Sequence, residues 1–120
     1  MPNPPAFSSK KALILAALVA RTGYEIIFSV AAIKDLRGLK GNVRLHIRKA
    51  IAENLKYEPI KNSNAQISSL QHLSQVQYQM AVDNFCIFYT VTETTVEILA
   101  ILPKSKAKSW LEKMGEIEEF

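Results

Sequence analysis

The chain has 120 residues and a formal net charge of +4, from 15 Lys and Arg against 11 Asp and Glu. This length allows one domain and excludes a multidomain enzyme. Hydrophobic residues make up 48% of the chain and charged residues 22%, which favours a globular core and excludes disorder over the whole chain. Cys86 is the only cysteine, so an intrachain disulfide and a cysteine-based zinc site are both excluded.

The sequence has no motif that identifies a reaction by itself. It lacks a Gly-rich phosphate loop, a carboxylate cluster at a strand end and a Cys/His pair at catalytic spacing. His46 and His72 lie far apart without ligand spacing, so we expect no metal and no cofactor. The mild charge excess permits a polyanionic partner without requiring one.

Residues 1–22 differ in composition from the rest of the chain. Three of the five prolines fall within the first five residues, and Lys10 and Lys11 precede an unbroken apolar run over 12–20 that Arg21 closes. The run is shorter than the roughly 18–20 residues that span a bilayer. Three interpretations fit this pattern: a secretory signal, a leading helix packed on the domain, and a segment that precedes the true start of translation.

Of these interpretations we favour a translation start at Val19, because a compact domain pattern begins at Tyr24. Bacterial genes can start at a valine codon, and the chain would then begin Met-Ala-Arg-Thr-Gly-Tyr. Intact-mass measurement of the native protein tests this expectation, and a chain that retains residues 1–18 contradicts it.

Residues 23–115 carry the pattern of one small domain. The segment 24–29 (YEIIFS) is rich in β-forming residues and predicts a first strand. Ser29 is predicted to cap a first helix, because its hydroxyl can accept a bond from a free backbone N–H. Gly38 and Gly41 are predicted to end that helix.

Asn42 is predicted to cap a second helix, which ends before Pro59. Its apolar residues recur at every fourth position, and this spacing predicts one buried face formed by Val43, Ile47, Ile51 and Leu55.

The rest of the domain is predicted as an antiparallel meander. A polar stretch holds a short edge strand at 67–70, and apolar residues then alternate with polar ones over 75–82, as in a half-buried strand. The Asp-Asn pair at 83–84 suits a two-residue hairpin turn, since both residue types tolerate positive φ. The apolar segments 85–91 and 95–102 predict two buried strands.

A final amphipathic helix and an acidic tail follow the meander. The helix is indicated by apolar residues at helical spacing, namely Ala107, Trp110, Leu111 and Met114. Residues 116–120 are expected to fray. The predicted order is β-α-α-β-β-β(-α), an α+β fold in which an antiparallel sheet packs against a helical hairpin.

Basic residues form two groups in this order of elements. The helical hairpin carries Lys34, Arg37, Lys40, Arg44, Arg48 and Lys49, and the segment after the last strand carries Lys104, Lys106 and Lys108. Each group fits either a solvated helix face or a phosphate-binding surface. The second group is the more suggestive, because ligands often meet a sheet at the carboxyl end of a central strand.

Three further features have both a functional and a structural interpretation. Tyr78 and Tyr89 fit either stacking on bases or a place in the core. Cys86 is expected to be a small buried hydrophobe rather than a nucleophile, because no His lies near it in sequence. The glutamine row within 75–79 fits either a surface for a partner strand or a plain solvated face.

The stretch from Tyr24 to Trp110 resembles the RelE/ParE superfamily of bacterial type II toxins. The likeness rests on three segments: YEIIFSVAAIKDLRGL, VRLHIRKAIAENL and YQMAVDNFCIFYTVTETTVEILAILPKS. The end of the third segment is especially similar to cyanobacterial members. The family runs β-α-α-β-β-β, often with a terminal helix, so the resemblance implies the fold derived above.

The resemblance also implies a function. RelE-type members cut mRNA in the ribosomal A site without a metal: the 2′-hydroxyl attacks the adjacent phosphate, and Arg and Lys side chains stabilise the developing charge. ParE-type members instead inhibit DNA gyrase. Both types are neutralised by a cognate antitoxin protein, so the expected partners are an antitoxin, the ribosome and mRNA, in the cytoplasm and without a membrane.

The roles that the resemblance implies fall on basic residues of this chain. Lys104 and Lys106 are the candidate catalytic residues, and the candidate RNA-binding residues are Arg44, Arg48 and Lys108. Lys104 stands where the family has an arginine, which keeps the charge but loses the bidentate fork of the guanidinium.

The other arginines of the family pattern are missing. The pattern Tyr-Arg-x-Arg-x-Gly-x-Tyr-Arg falls on residues 78–86, where its arginines are replaced by Gln79, Ala81 and Cys86. Loss of one transition-state donor costs about 10²–10³ in rate. Two hypotheses follow: a ribosome-dependent endoribonuclease with weakened catalysis, and a noncatalytic relative that retains only antitoxin binding.

Overall fold

The computed structural model describes residues 9–62, 64–71, 73 and 75–118 of the chain. The helices are α1 (Lys10–Thr22), α2 (Val30–Arg37), α3 (Gly41–Leu55) and α4 (Lys104–Glu118). The strands are β1 (Glu25–Phe28), β2 (Gln66–Ser69), β3 (Tyr78–Val82), β4 (Phe85–Val91) and β5 (Thr95–Pro103). Helix α4 continues to Glu118, past the start of the predicted tail, and residues 119–120 lie outside the described residues.

The five strands form one sheet in the order β1-β5-β4-β3-β2. The pairs β2–β3, β3–β4 and β4–β5 are antiparallel, which confirms the predicted meander. Strand β1 lies parallel to β5, so the sheet is mixed rather than purely antiparallel. The long connection through α2, α3 and the meander makes this possible, because parallel neighbours need a crossover rather than a tight turn.

Hydrophobic residues fill both faces of the sheet. On one face, α2 and α3 cover a cluster to which α3 contributes Ile47, Ile51 and Leu55, each no more than 1% exposed, as its periodicity predicted. On the opposite face, α4 covers a second cluster in which the rings of Phe88 and Trp110 stack with centroids 4.6 Å apart. The fold is therefore an α+β arrangement of three layers, with the sheet in the middle.

Helix α2 completes the hydrogen bonding of β5 beyond the end of β1. The Ser29 hydroxyl accepts from the Ala32 N–H at 3.0 Å, which confirms the predicted cap, and donates to the Leu99 carbonyl at 3.1 Å. The Asp35 carboxylate accepts from the Ile101 N–H at 3.0 Å. These two side chains satisfy backbone groups that would otherwise face the core without a partner.

Two local predictions are wrong. Helix α3 begins at Gly41, so Lys40 rather than Asn42 is the N-cap residue, and its side chain makes no capping bond. The reason is the short connection: Gly38 already caps the end of α2, and only two residues separate it from Gly41. Val76 was expected on the same face as Met80, but it lies before β3 and packs in the cluster under α4.

The β3–β4 hairpin and the β4–β5 pair set the positions of the site. Asp83 has a φ of 51°, which confirms the predicted tight turn at 83–84. Phe88 pairs with Ala100 while Tyr89 pairs with Ile98, so Leu99 is bulged out of the register. The bulge places both Leu99 and Ala100 against the layer of α4.

Candidate functional site

The three candidate lysines after β5 lie in the first turns of α4. All three are exposed, and the first turn contains no acidic residue. Each residue advances about 100° around a helix, so Lys104 and Lys108 lie on one flank of the buried Ala107 and Lys106 lies on the other. The structure therefore groups Lys104 with Lys108 rather than with Lys106.

The two-residue turn at 83–84, between β3 and β4, contacts both the start of α4 and helix α3. The Lys104 N–H donates to the Asn84 carbonyl at 2.8 Å, and His46 Nε2 lies 2.9 Å from Asp83 Oδ2. Both side chains of the His46–Asp83 pair are more than half exposed, so the pair contributes little to stability. The turn at 83–84 nevertheless brings Lys104, His46 and Asp83 to the same end of the sheet.

A cavity of about 370 Å³ lies between the start of α3 and this turn. Asn42 and His46 line it from α3, and Asp83, Asn84 and Phe85 line it from the hairpin. Its polar groups can donate and accept hydrogen bonds, while the carboxylate of Asp83 opposes the binding of a phosphate.

Arg44 and Arg48 lie away from that cavity. Each is two residues from His46 and therefore about 200° around α3 from it. Arg44 is half-buried and Arg48 is exposed. The candidate residues consequently occupy two separate places. Lys104, Lys106 and Lys108 lie on α4, and the two arginines lie on the side of α3 turned away from the 83–84 turn.

Tyr89 is part of the core and cannot stack on a base. Its side chain is fully buried, and its hydroxyl donates to the Pro59 carbonyl at 2.6 Å. Burial, with a smaller contribution from Tyr78, raises the pKa of Tyr89 above its ordinary range. The ring of Tyr78 stacks on Tyr89 with centroids 5.7 Å apart, and Tyr78 remains half-buried. Of the two tyrosines, only Tyr78 presents any surface to a ligand.

The glutamine row makes contacts within the domain. The Gln77 side-chain carbonyl accepts from the Val91 N–H at 2.9 Å, and its backbone carbonyl accepts from the Leu70 N–H at 2.8 Å. Gln75 also has an interaction partner, and Gln79 is half-buried. Gln77 thus stabilises the start of the meander rather than presenting a free amide.

Sequence reasoning missed the links made by His46 and Asp35. His46 directly precedes the core residue Ile47, so it lies beside the buried face of α3. No pattern in the sequence indicates that this side of α3 contacts the turn at 83–84. Asp35 lies in α2, whose sequence shows only the spacing of an ordinary amphipathic helix. Its hydrogen-bond partner, the Ile101 N–H on β5, is 66 residues away.

Within the described ranges, no group of three or more His, Cys, Asp or Glu side chains is placed to hold a metal ion. His72 lies outside those ranges. Among the helices that the structure describes, none is long and apolar enough to cross a membrane.

No protein-family model and no curated protein matches this sequence. Solved structures do match. The RelE–RelB complex of the archaeon Pyrococcus horikoshii is 17% identical with a TM-score of 0.59, covering 70% of this chain and 98% of that chain. The RelB–RelE complex of Methanococcus jannaschii is 21% identical with a TM-score of 0.57, covering 70% of this chain and 96% of that one.

A third match is the free state of an E. coli RelE variant in which two arginines are replaced by alanine. It is 19% identical with a TM-score of 0.59, covering 82% of this chain and 99% of that chain. The chain has the RelE-like toxin fold. The likeness predicted from the sequence is confirmed at the level of fold, and activity has to be argued from the residues on that fold.

The three positions at which the resemblance leads us to expect family arginines lie together in this fold. Ala81 pairs with Cys86 and Cys86 pairs with Leu102, and Gln79 alternates to the same face of the sheet as Ala81. Burial raises the pKa of the Cys86 thiol, and the Lys104 ammonium opposes that shift only in part. The thiol therefore stays protonated, and the positive charge beside it is that of Lys104.

Proposed function

We propose that this chain is the toxin of a type II toxin–antitoxin pair and acts as a weakened, metal-independent mRNA endoribonuclease on the ribosome. The observation that carries the proposal is the match to nearly the whole length of RelE chains, two of them solved in RelE–RelB complexes. The proposed partners are a cognate antitoxin, the ribosome and mRNA.

The proposed chemistry needs no metal or cofactor. The 2′-hydroxyl of one nucleotide gives its proton to water and attacks the adjacent phosphorus, and a cyclic phosphate forms. The bond from phosphorus to the 5′-oxygen of the next nucleotide breaks, and that oxygen takes up a proton from water. Positive charge near the phosphate lowers the barrier because charge builds up on its oxygens. Lys104 is proposed to supply that charge, since it is exposed at the start of α4 beside the converging family positions.

Lys108 extends the basic surface of Lys104 along α4, whereas Lys106, the other candidate catalytic residue, lies on the opposite flank of Ala107. Arg44 and Arg48 offer a second basic surface on α3. Lys108 follows Lys104 by one helical turn, so both can face one strand of RNA. We assign Lys108, Arg44 and Arg48 to binding the phosphate backbone, which contributes affinity without sequence preference.

A second candidate is a noncatalytic protein that binds only its antitoxin. It is favoured by the neutral side chains at the converging positions, because Gln79, Ala81 and Cys86 cannot neutralise a phosphate. The core is intact in this protein, so a folded antitoxin-binding chain without cleavage activity is physically reasonable.

Induced expression in a bacterial host, with translation monitored by pulse labelling, distinguishes the endoribonuclease from the noncatalytic antitoxin-binding protein. Catalytic action predicts arrest of growth and translation, relieved when Lys104, Lys106 and Lys108 are all replaced by alanine. The matched control replaces three exposed lysines that belong to neither basic group, Lys56, Lys61 and Lys113, and should leave the arrest intact. Harmless expression of soluble protein contradicts the endoribonuclease. Continued translation with inhibited gyrase supercoiling would point to ParE-like action instead.

A further inference from the structure

Helix α1 is apolar around its whole circumference. Between Lys11 and Arg21 every residue is apolar, over nine consecutive positions. A helix of this kind is normally covered on all sides. None of its residues is buried: Leu13 is 53% exposed, Ile14 is 61% exposed and Leu18 is 50% exposed.

The two faces of α1 differ in exposure. Ala12, Leu15, Ala16 and Val19 follow the spacing of one helix face and are half-buried. The opposite face, which we call the outer face, consists of Lys10, Leu13, Ile14, Ala17, Leu18 and Arg21, all exposed. Along this face the apolar residues lie in the middle and a basic residue lies at each end.

Charge on α1 has one sign only. Lys10, Lys11 and Arg21 are basic, and the helix contains no acidic residue. Two copies of the outer face would therefore repel each other in either orientation. An antiparallel pair places the lysine end against Arg21, and a parallel pair places like ends together.

The outer face is also too small for a stable protein partner by itself. A helix of 13 residues is about 20 Å long, so one face presents roughly 200–300 Å². Stable protein interfaces bury about 800 Å² on each side. A bilayer surface has no such threshold, since it receives exposed apolar side chains individually and attracts basic residues through anionic headgroups.

From this arrangement we infer that the outer face of α1 binds an anionic membrane surface, with the helix lying in the plane of the headgroups. Leu13, Ile14 and Leu18 enter the boundary between headgroups and acyl chains, while Lys10, Lys11 and Arg21 contact lipid phosphates. The inference goes beyond the proposed function and does not depend on it. It competes with two expectations from the sequence, the absence of a membrane partner and a translation start at Val19, and the experiments below decide between them.

Binding of the full chain to vesicles tests this inference. The probes are vesicles of pure phosphatidylcholine and of phosphatidylcholine with 30% phosphatidylglycerol, assayed by co-sedimentation at low and high salt. We expect the anionic vesicles to bind at least about 10-fold more protein, and 0.5 M NaCl to remove most of that difference. Absence of binding to the anionic vesicles by the folded chain overturns the inference.

Matched variants locate the binding on α1. Replacing Leu13, Ile14 and Leu18 by glutamine keeps a good helix former at each position, and we expect binding to fall at least about 10-fold. The control replaces three exposed apolar residues elsewhere by glutamine, namely Leu45, Tyr57 and Ile60, and should bind like the parent. Circular dichroism confirms that each variant is folded, and undiminished binding by the α1 variant overturns the inference.

Two further measurements separate the membrane from other occupants. An Ile14→Trp variant should shift its fluorescence to shorter wavelength on anionic vesicles, because the indole leaves water. A concentration-dependent dimer that the α1 glutamine variant abolishes would overturn the inference in favour of a second copy. So would an intact mass of the native protein that lacks residues 1–18.

Discussion

Replacing Tyr89 by phenylalanine removes one hydroxyl from the centre of the fold. That hydroxyl donates to the Pro59 carbonyl at 2.6 Å, and both residues are buried. The bond joins β4 to the segment that follows α3, so it connects the sheet to the helical layer. The phenyl ring keeps its packing, and the change is confined to the hydrogen bond and the carbonyl left without a partner.

The expected loss is about 2 kcal/mol in the free energy of unfolding. A buried polar group that loses its partner costs roughly 1–3 kcal/mol, and this carbonyl lies where water does not reach. For a chain of 120 residues the entropy of unfolding is about 0.25 kcal/mol/K, so the midpoint of thermal unfolding should fall by about 8 °C.

Urea denaturation followed by circular dichroism measures this loss. The matched control is Tyr57→Phe, because Tyr57 is 54% exposed, in contrast to the buried Tyr89. The control should change stability by less than about 0.5 kcal/mol. If Tyr89→Phe and the control behave alike, the hydrogen bond to Pro59 does not exist in solution.

High pH provides an independent test of the same bond. Burial raises the pKa of Tyr89 in the folded protein, whereas the unfolded chain ionises near its ordinary pKa of about 10. The parent should therefore lose stability as pH rises above about 10, because only the unfolded state releases the proton. The phenylalanine variant lacks this effect, so its deficit should shrink by about 1.4 kcal/mol between pH 8 and pH 11.

Two further predictions concern the hydrogen bond from α2 to β5 and the glycine that precedes β1. Asp35→Ala should cost about 1–3 kcal/mol in unfolding free energy, because it leaves the buried Ile101 N–H without an acceptor. Asp35→Asn keeps an oxygen acceptor and should cost less. Equal losses of the two variants in denaturation would refute this assignment. Gly23 has a φ of 78°, and a Cβ there would lie 2.9 Å from the Lys56 carbonyl oxygen. Gly23→Ala should therefore destabilise the junction of α1 and β1 by about 1–3 kcal/mol, and faster amide exchange at Tyr24 should accompany it.

The meander was predictable from sequence because each of its signals is local. The alternation over 78–82 and the turn-forming pair at 83–84 specify a hairpin without reference to the rest of the chain. The buried face of α3 was predictable for the same reason, since Ile47, Ile51 and Leu55 recur at helical spacing.

Features that depend on distant partners were not predictable. The parallel pairing of β1 with β5 and the bond from Asp35 to Ile101 join segments about 70 residues apart, and no short pattern encodes them. The bulge at Leu99 could not be predicted, because the residues around it are apolar and each could lie on either face of the sheet. The roles of Lys104 and Lys106 stay predictions, since they rest on resemblance and on position at the start of α4.

The position of β1 has a consequence for synthesis on the ribosome. Its single neighbour in the sheet as described is β5, and Glu25 pairs with Thr95, a partner made 70 residues later. Strand β5 also lies between β1 and β4, so a nascent chain that stops before Thr95 lacks the strand that joins β1 to the rest of the sheet. Abortive translation products should therefore be unfolded and open to proteolysis, and a folded domain should emerge only from chains that include β5.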